Sequence, residues 1–354
     1  MRLFLVLPKN LPISNALVLE HAKGLMRSFA QAKEVQIILV GDQLEDALVE
    51  YGQQWESVAI QSTKEAAQFI KTVTNAVVFH FGTQLNWAKG FPQYFIPLVL
   101  PKEGKRLSIL KRYLFATQLE KWMKLSTKVL ATSDWAYEQL SLHYPAHLSK
   151  FQMLSFPLPE AISFEWHDLA ATRARLTRDH NYFLVFAPGS RFVDILKAFS
   201  VFKKWQQTTM HLVFVFDTTT EVKLATEQLR GYKFKADVSI HHSEAMDLSW
   251  LAAAYAVLWE GVSYAHAMWM EYAIQMDIPL WLDAQLTIPT SWHSSGEVFP
   301  FSEKMALSNH FKLYYKDELY RQSIANKGKE WLIHQHPSDS HLDLFNKIVL
   351  SLNN

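Results

Sequence analysis

The chain has no cysteine. That absence excludes disulfides, iron–sulfur clusters, thiolate zinc sites and a cysteine nucleophile, and it fits a reducing, cytoplasmic setting. Glycine is scarce too: 11 residues in 354, about 3% where ~7% is usual. Few loops can therefore wrap a phosphate with bare backbone. Neither sign of charge is in excess. The formal net charge is +1, which lacks the basic surplus that nucleic-acid binding demands, so no nucleic-acid partner is expected. Long apolar runs are also missing. No stretch approaches the ~18 uninterrupted apolar residues of a membrane span. The run Leu3-Phe4-Leu5-Val6-Leu7 is too short for a signal peptide and reads as a buried first strand.

What is present is the composition of a folded protein, 49% hydrophobic and 19% charged, in a chain long enough for two domains. Short apolar runs alternate with longer helical patterns, the signature of a parallel sheet with crossover helices. The first half predicts strands at 3–7, 35–40, 57–60, 76–79, 96–100, 128–132 and 151–155, with helices at 15–30, 64–72, 107–125 and 134–143. Phe156-Pro157-Leu158-Pro159 and the polar stretch to His180 interrupt the pattern. It restarts with strands at 182–187, 211–216, 238–241, 256–259 and 279–282 and helices at 192–206, 219–229, 247–255, 266–276 and 314–333. The expected organisation is an N-terminal Rossmann-like domain over 1–160, a linker over 161–180 and a C-terminal Rossmann-like domain over 181–334. A final helix over 335–354 is expected to return to the first domain. Two doubly wound halves would face a cleft, and open α/β sheets bind ligands at the C-terminal ends of their strands.

The second half resembles the C-terminal domain of retaining GT-B glycosyltransferases of family four, of the bacterial surface-polysaccharide type. The resemblance rests on Tyr182–Phe186 with Leu196–Lys204, on Phe234–Val238 with Ala253–Trp259, on Gln275-Met276-Asp277-Ile278-Pro279-Leu280, and on Tyr315–Arg321 with Lys327-Gly328-Lys329. In the first half, Thr132-Ser133-Asp134 heads a helix as that family's serine-capped segment does.

The resemblance implies a nucleotide-sugar co-substrate held without a metal. An Arg-Lys pair and a helix N-terminus stabilise the leaving pyrophosphate, and two glutamates eight residues apart orient the sugar and ribose. In this sequence the glutamate positions fall on Tyr264 and Tyr272, and the loop glycines between them on Ala265 and Ala267. The basic pair falls on Gly189 and Ser190, with Arg191 next to them and suited to phosphate oxygens. His266 lies in the same rewritten loop. The expected donor-binding set is therefore Gly189, Ser190, Arg191, Tyr264, Ala265, His266 and Tyr272, with degenerate motifs throughout. His80, ending a buried strand, is a cleft candidate or a hydrogen-bonded structural histidine.

Other groupings carry less. His241 and His242 point to opposite faces of a strand and make poor co-ligands, so no metal is expected. Trp259, Trp269, Trp281 and Trp292 cluster around the expected donor site, as sugar-stacking platforms or as core. Basic residues from Lys102 to Lys128 flank an apolar stripe, which suits peripheral contact with an anionic membrane face or a solvated side of a packed helix. The implied function is sugar transfer to a glycan or lipid-linked acceptor. The alternative is a catalytically inactive paralogue that stabilises an active glycosyltransferase partner.

Overall fold

The computed structural model describes residues 1–7, 22–27, 35–41, 49, 52–53, 57–60, 62–82, 88, 90–97, 109–131, 134–154, 164–186, 191–260, 264–285 and 290–335. For 63, 109–116, 135, 244, 264–268 and 290 it describes the backbone alone. The chain divides into two compact units, Met1–Pro159 with Ser263–Ala265 and His336–Asn354, and Glu160–Val262 with His266–Gln335.

The first unit holds a parallel sheet of β1 (Arg2–Val6), β2 (Gln36–Val40), β3 (Val58–Ile60), β4 (Ala76–Phe81), β5 (Gln93–Ile96), β6 (Lys128–Ala131) and β7 (Phe151–Met153), in the order β3-β2-β1-β4-β5-β6-β7. Alternate residues of its strands feed two separate cores. Leu3, Leu5, Ile37, Leu39, Val77 and Phe79 pack on one face. Phe4, Val6, Ile38, Val40, Ala76 and Val78 pack on the other. Burial on both faces explains the unbroken apolar runs that marked these strands. Its described helical segments include α1 (Thr63–Phe69), α2 (Ile109–Leu125) and α3 (Asp134–His143). Lys150 Nζ donates to the carbonyls of Met123, Lys124 and Ser126 at 3.1, 2.8 and 2.8 Å. It thus satisfies the carbonyls that the end of α2 leaves open.

The second unit repeats the plan with β8 (Tyr182–Phe186), β9 (His211–Phe216), β10 (Val238–His242), β11 (Ala256–Trp259), β12 (Leu280–Asp283) and β13 (Glu297–Phe299). Their order is β10-β9-β8-β11-β12-β13. Its helices are α4 (Trp166–Thr177), α5 (Phe192–Trp205), α6 (Thr219–Leu229), α7 (Leu248–Ala252), α8 (Tyr264–Gln275), α9 (Lys304–Lys316) and α10 (Glu318–Gln335). Trp281 lies at the centre of its core, against Phe183, Phe299, Phe311 and Tyr314.

Several expectations need correction. Where a strand was placed at 96–100, the structure shows one over Gln93–Ile96 that pairs with both β4 and β6, and residues 98–100 lie outside the described residues. Pro97 follows Ile96 and has no N–H to continue the ladder. The polar stretch 161–180 contains α4, whose Thr172, Leu176 and Thr177 are buried while its charges face outward. The single helix expected at 314–333 is two, broken at Asp317, whose backbone is extended. Its carboxylate accepts from Tyr320 N at 2.9 Å, which starts the new helix. The expected C-terminal helix beyond Gln335 lies outside the described residues.

Candidate functional site

The sheet order of the second unit puts β8, β11 and β12 side by side. Trp259 is the register partner of both Phe186 and Leu282. Glu260, one residue past Trp259, and Asp283, the last residue of β12 and one past Leu282, therefore lie at the same level of the sheet edge. Arg191 arrives at that edge as the N-cap residue of α5, with no side-chain cap hydrogen bond of its own. Three charged groups from three crossovers thus meet where parallel sheets bind ligands.

Their contacts are specific. Arg191 Nε donates to Asp283 Oδ2 at 3.2 Å and lies 3.9 Å from Glu260 Oε1. Arg191 Nη2 donates to Gln285 Oε1. Asp283 is only 2% exposed, and its other oxygen accepts from the backbone N–H of Gln285 and of Phe301, each at 3.2 Å. A carboxylate this buried needs such partners, because desolvation without them costs several kcal/mol, on the order of the penalty for a buried ion. Gln285 Nε2 reaches Ser302 Oγ at 3.2 Å, so the turn after β12 is tied to the segment before α9. One guanidinium faces two carboxylates.

The expected donor set is placed unevenly. Gly189 and Ser190 lie outside the described residues. Tyr264, Ala265 and His266 form the first turn of α8 by their backbone, and their side chains are not described. Tyr272 is 4% exposed and packs near Trp269, with ring centroids 6.5 Å apart. It therefore fills the helix's inner face. Of the two members whose side chains are described, Arg191 reaches other charged groups at the strand ends and Tyr272 packs inward. Glu260, Asp283 and Gln285 are absent from the expected set. The signal for the first two was a charge closing a wholly apolar run, Ala-Val-Leu-Trp-Glu and Leu-Trp-Leu-Asp.

His80 has no exposed surface. Its Nε2 donates to Gln93 Oε1 at 3.1 Å, while Gln93 Nε2 donates to Ala88 O at 3.1 Å. Burial pulls its imidazole down to about 4, against which the Gln93 hydrogen bond pulls weakly upward. This is the hydrogen-bonded histidine of a packed strand, held neutral. The tryptophans 259, 269, 281 and 292 are at most 3% exposed, so they are core and offer no sugar platform. No group of three or more His, Asp or Glu suited to a metal ion occurs among the described residues. Of the basic stripe, the described part of α2 buries Leu119 and Met123 and exposes Lys121 and Lys124. Lys124 pairs with Glu120 at 2.9 Å.

No family model matches the chain, and no curated protein matches it in sequence. Solved structures do match it in shape. A glycosyltransferase from Rickettsia africae is 11% identical over 100% of this chain and 98% of its own, with a TM-score of 0.67. Anabaena HepE, solved with UDP and glucose, is 12% identical over 99% and 100%, with a TM-score of 0.65. WaaG, a glycosyltransferase involved in lipopolysaccharide biosynthesis, is 12% identical over 98% and 99%, with a TM-score of 0.62. The chain has the GT-B fold. At these identities the likeness establishes architecture, two parallel-sheet α/β domains, and leaves chemistry to the site.

Proposed function

We propose that this chain is a glycosyltransferase-type protein that takes a nucleotide sugar at the C-terminal edge of β8, β11 and β12. The acceptor would be a glycan or lipid-linked sugar of bacterial surface-glycan synthesis, met at an anionic membrane face through the basic segment 102–128. The observation that supports this most is full-length agreement with HepE, whose own structures hold UDP and UDP-glucose. In this reading Arg191, with Gly189, Ser190 and the first turn of α8, meets the diphosphate, and the N-terminal dipoles of α5 and α8 add positive potential. No metal takes part.

A second reading, the catalytically inactive partner subunit, is favoured by the company Arg191 keeps. Transfer requires positive charge where the leaving pyrophosphate gains negative charge. Here two carboxylates already neutralise the available cation, and tyrosines stand at both glutamate positions. Losing one such contact costs about 3–4 kcal/mol, or two to three decades of rate, and losses of this kind do not simply add.

The isolated protein is therefore expected to give no detectable transfer or hydrolysis with UDP-, GDP- or ADP-sugars. Tyr264→Glu with Tyr272→Glu does not restore it, because position 272 is sealed and the basic pair stays missing. Turnover by the unmodified chain in a coupled nucleotide-release assay would refute the inactive-subunit reading. Co-purification with an intact glycosyltransferase, with higher activity of that partner, would support it.

A further inference from the structure

We propose that Glu260 is an internal competitor for Arg191, so that the carboxylate of Glu260 sets how tightly this site takes a nucleoside diphosphate. The inference rests on the donor-site reading above and concerns its regulation.

The two carboxylates at Arg191 are not equivalent. Asp283 is built in: it is 2% exposed, and both its oxygens are engaged, by Arg191 Nε and by two backbone N–H groups. Its removal would loosen the turn after β12. Glu260, its side chain 10% exposed, comes no nearer to the Arg191 Nε than 3.9 Å, beyond hydrogen-bond distance, so it acts on the guanidinium through charge. It also stands directly after β11, four residues ahead of the start of α8.

The consequences follow from charge balance. Asp283 alone would neutralise Arg191 and leave the α5 N-terminus as the local positive potential. Adding Glu260 brings a second carboxylate to Arg191, and an incoming diphosphate then meets a like charge beside the only guanidinium described there. Like-charge juxtaposition of this kind is how sites reject ligands. A diphosphate must displace Glu260 from Arg191 before that guanidinium can fork onto phosphate oxygens. Glu260 thereby lowers affinity for the free diphosphate, the product of transfer, as much as for the donor's diphosphate.

The test is calorimetric titration of the full chain with inorganic pyrophosphate and with UDP. It compares wild type, Glu260→Gln, Glu260→Ala and Glu260→Gln combined with Arg191→Ala, each with its melting temperature measured. The expected result is binding about tenfold tighter in both single variants, within the usual range of coupling between competing groups, and loss of that gain in the double variant. Wild-type binding of UDP that is unchanged or weakened by both Glu260 substitutions overturns the competitor role while leaving the donor site standing. Absence of UDP and pyrophosphate binding in every folded variant overturns the donor-site reading itself.

Discussion

Asp283 is the residue on which the candidate site depends mechanically. A carboxylate that has lost almost all its water must be repaid by hydrogen bonds and an opposite charge, and it has both. Taking its charge away while keeping its shape should expose that dependence. Asp283→Asn leaves Arg191 with only the distant Glu260 and Gln285. Breaking a buried pair costs roughly 3–5 kcal/mol; with Arg191 19% exposed, water offsets part of it, and about 2–3 kcal/mol is expected. Urea denaturation checks this: the midpoint should fall with the slope unchanged, and an unaltered midpoint would remove Asp283 from its anchoring role. At this scale, counting from flanking motifs singled out Arg191 beside the positions where the resemblance expects a basic pair. It was blind to Arg191's partners, because only the strand register brings Glu260 and Asp283, 23 residues apart in sequence, to one edge.

Among the elements, the strands buried on both faces carry a pH liability. His80 in β4 and His211 at the start of β9 are each pulled down to about 4, chiefly by burial; near His211, Asp237 at 3.7 Å partly opposes this. The unfolded chain binds protons at these groups near 6.5, and the folded chain resists them until about 4. Between those values the unfolded state holds more protons, so folding stability is full above 6.5 and declines as pH falls toward 4. The expected fall is about 1.4 kcal/mol per pH unit for each imidazole. Denaturation curves from pH 7 to 4.5 measure it, and His80→Gln should flatten the slope; a slope that His80→Gln leaves unchanged would assign the loss elsewhere. The elements themselves were legible where burial was two-sided, as with β1, β4, β8 and β9. They were misread where a polar surface masked a narrow apolar stripe. In α4 only Thr172, Leu176 and Thr177 are buried. In α9 the buried set is Leu307, Ser308, Phe311 and Tyr314, and the extended residue Asp317 separates it from α10.

For the whole molecule, two sheets with the β3-β2-β1-β4 and β10-β9-β8-β11 orders reproduce one architecture twice, as the restart of the strand–helix pattern after His180 suggested. Among the described residues no helix is long and apolar enough to cross a membrane. Fold survives at 11–12% identity because two-sided burial needs only apolar residues of suitable size at alternating positions. A donor site needs particular groups, which a shared fold does not supply by itself. Binding is therefore the decisive property, ahead of turnover. A thermal-shift titration of the full chain with UDP, GDP, ADP and their sugars tests it directly, since a ligand that binds only the native state raises the melting temperature. The account predicts a concentration-dependent rise of roughly 2–4 °C near saturation with at least one nucleotide or its sugar. That rise should be abolished by Arg191→Ala. Unchanged melting with every nucleotide, or a rise that Arg191→Ala leaves intact, would contradict a donor site built around Arg191.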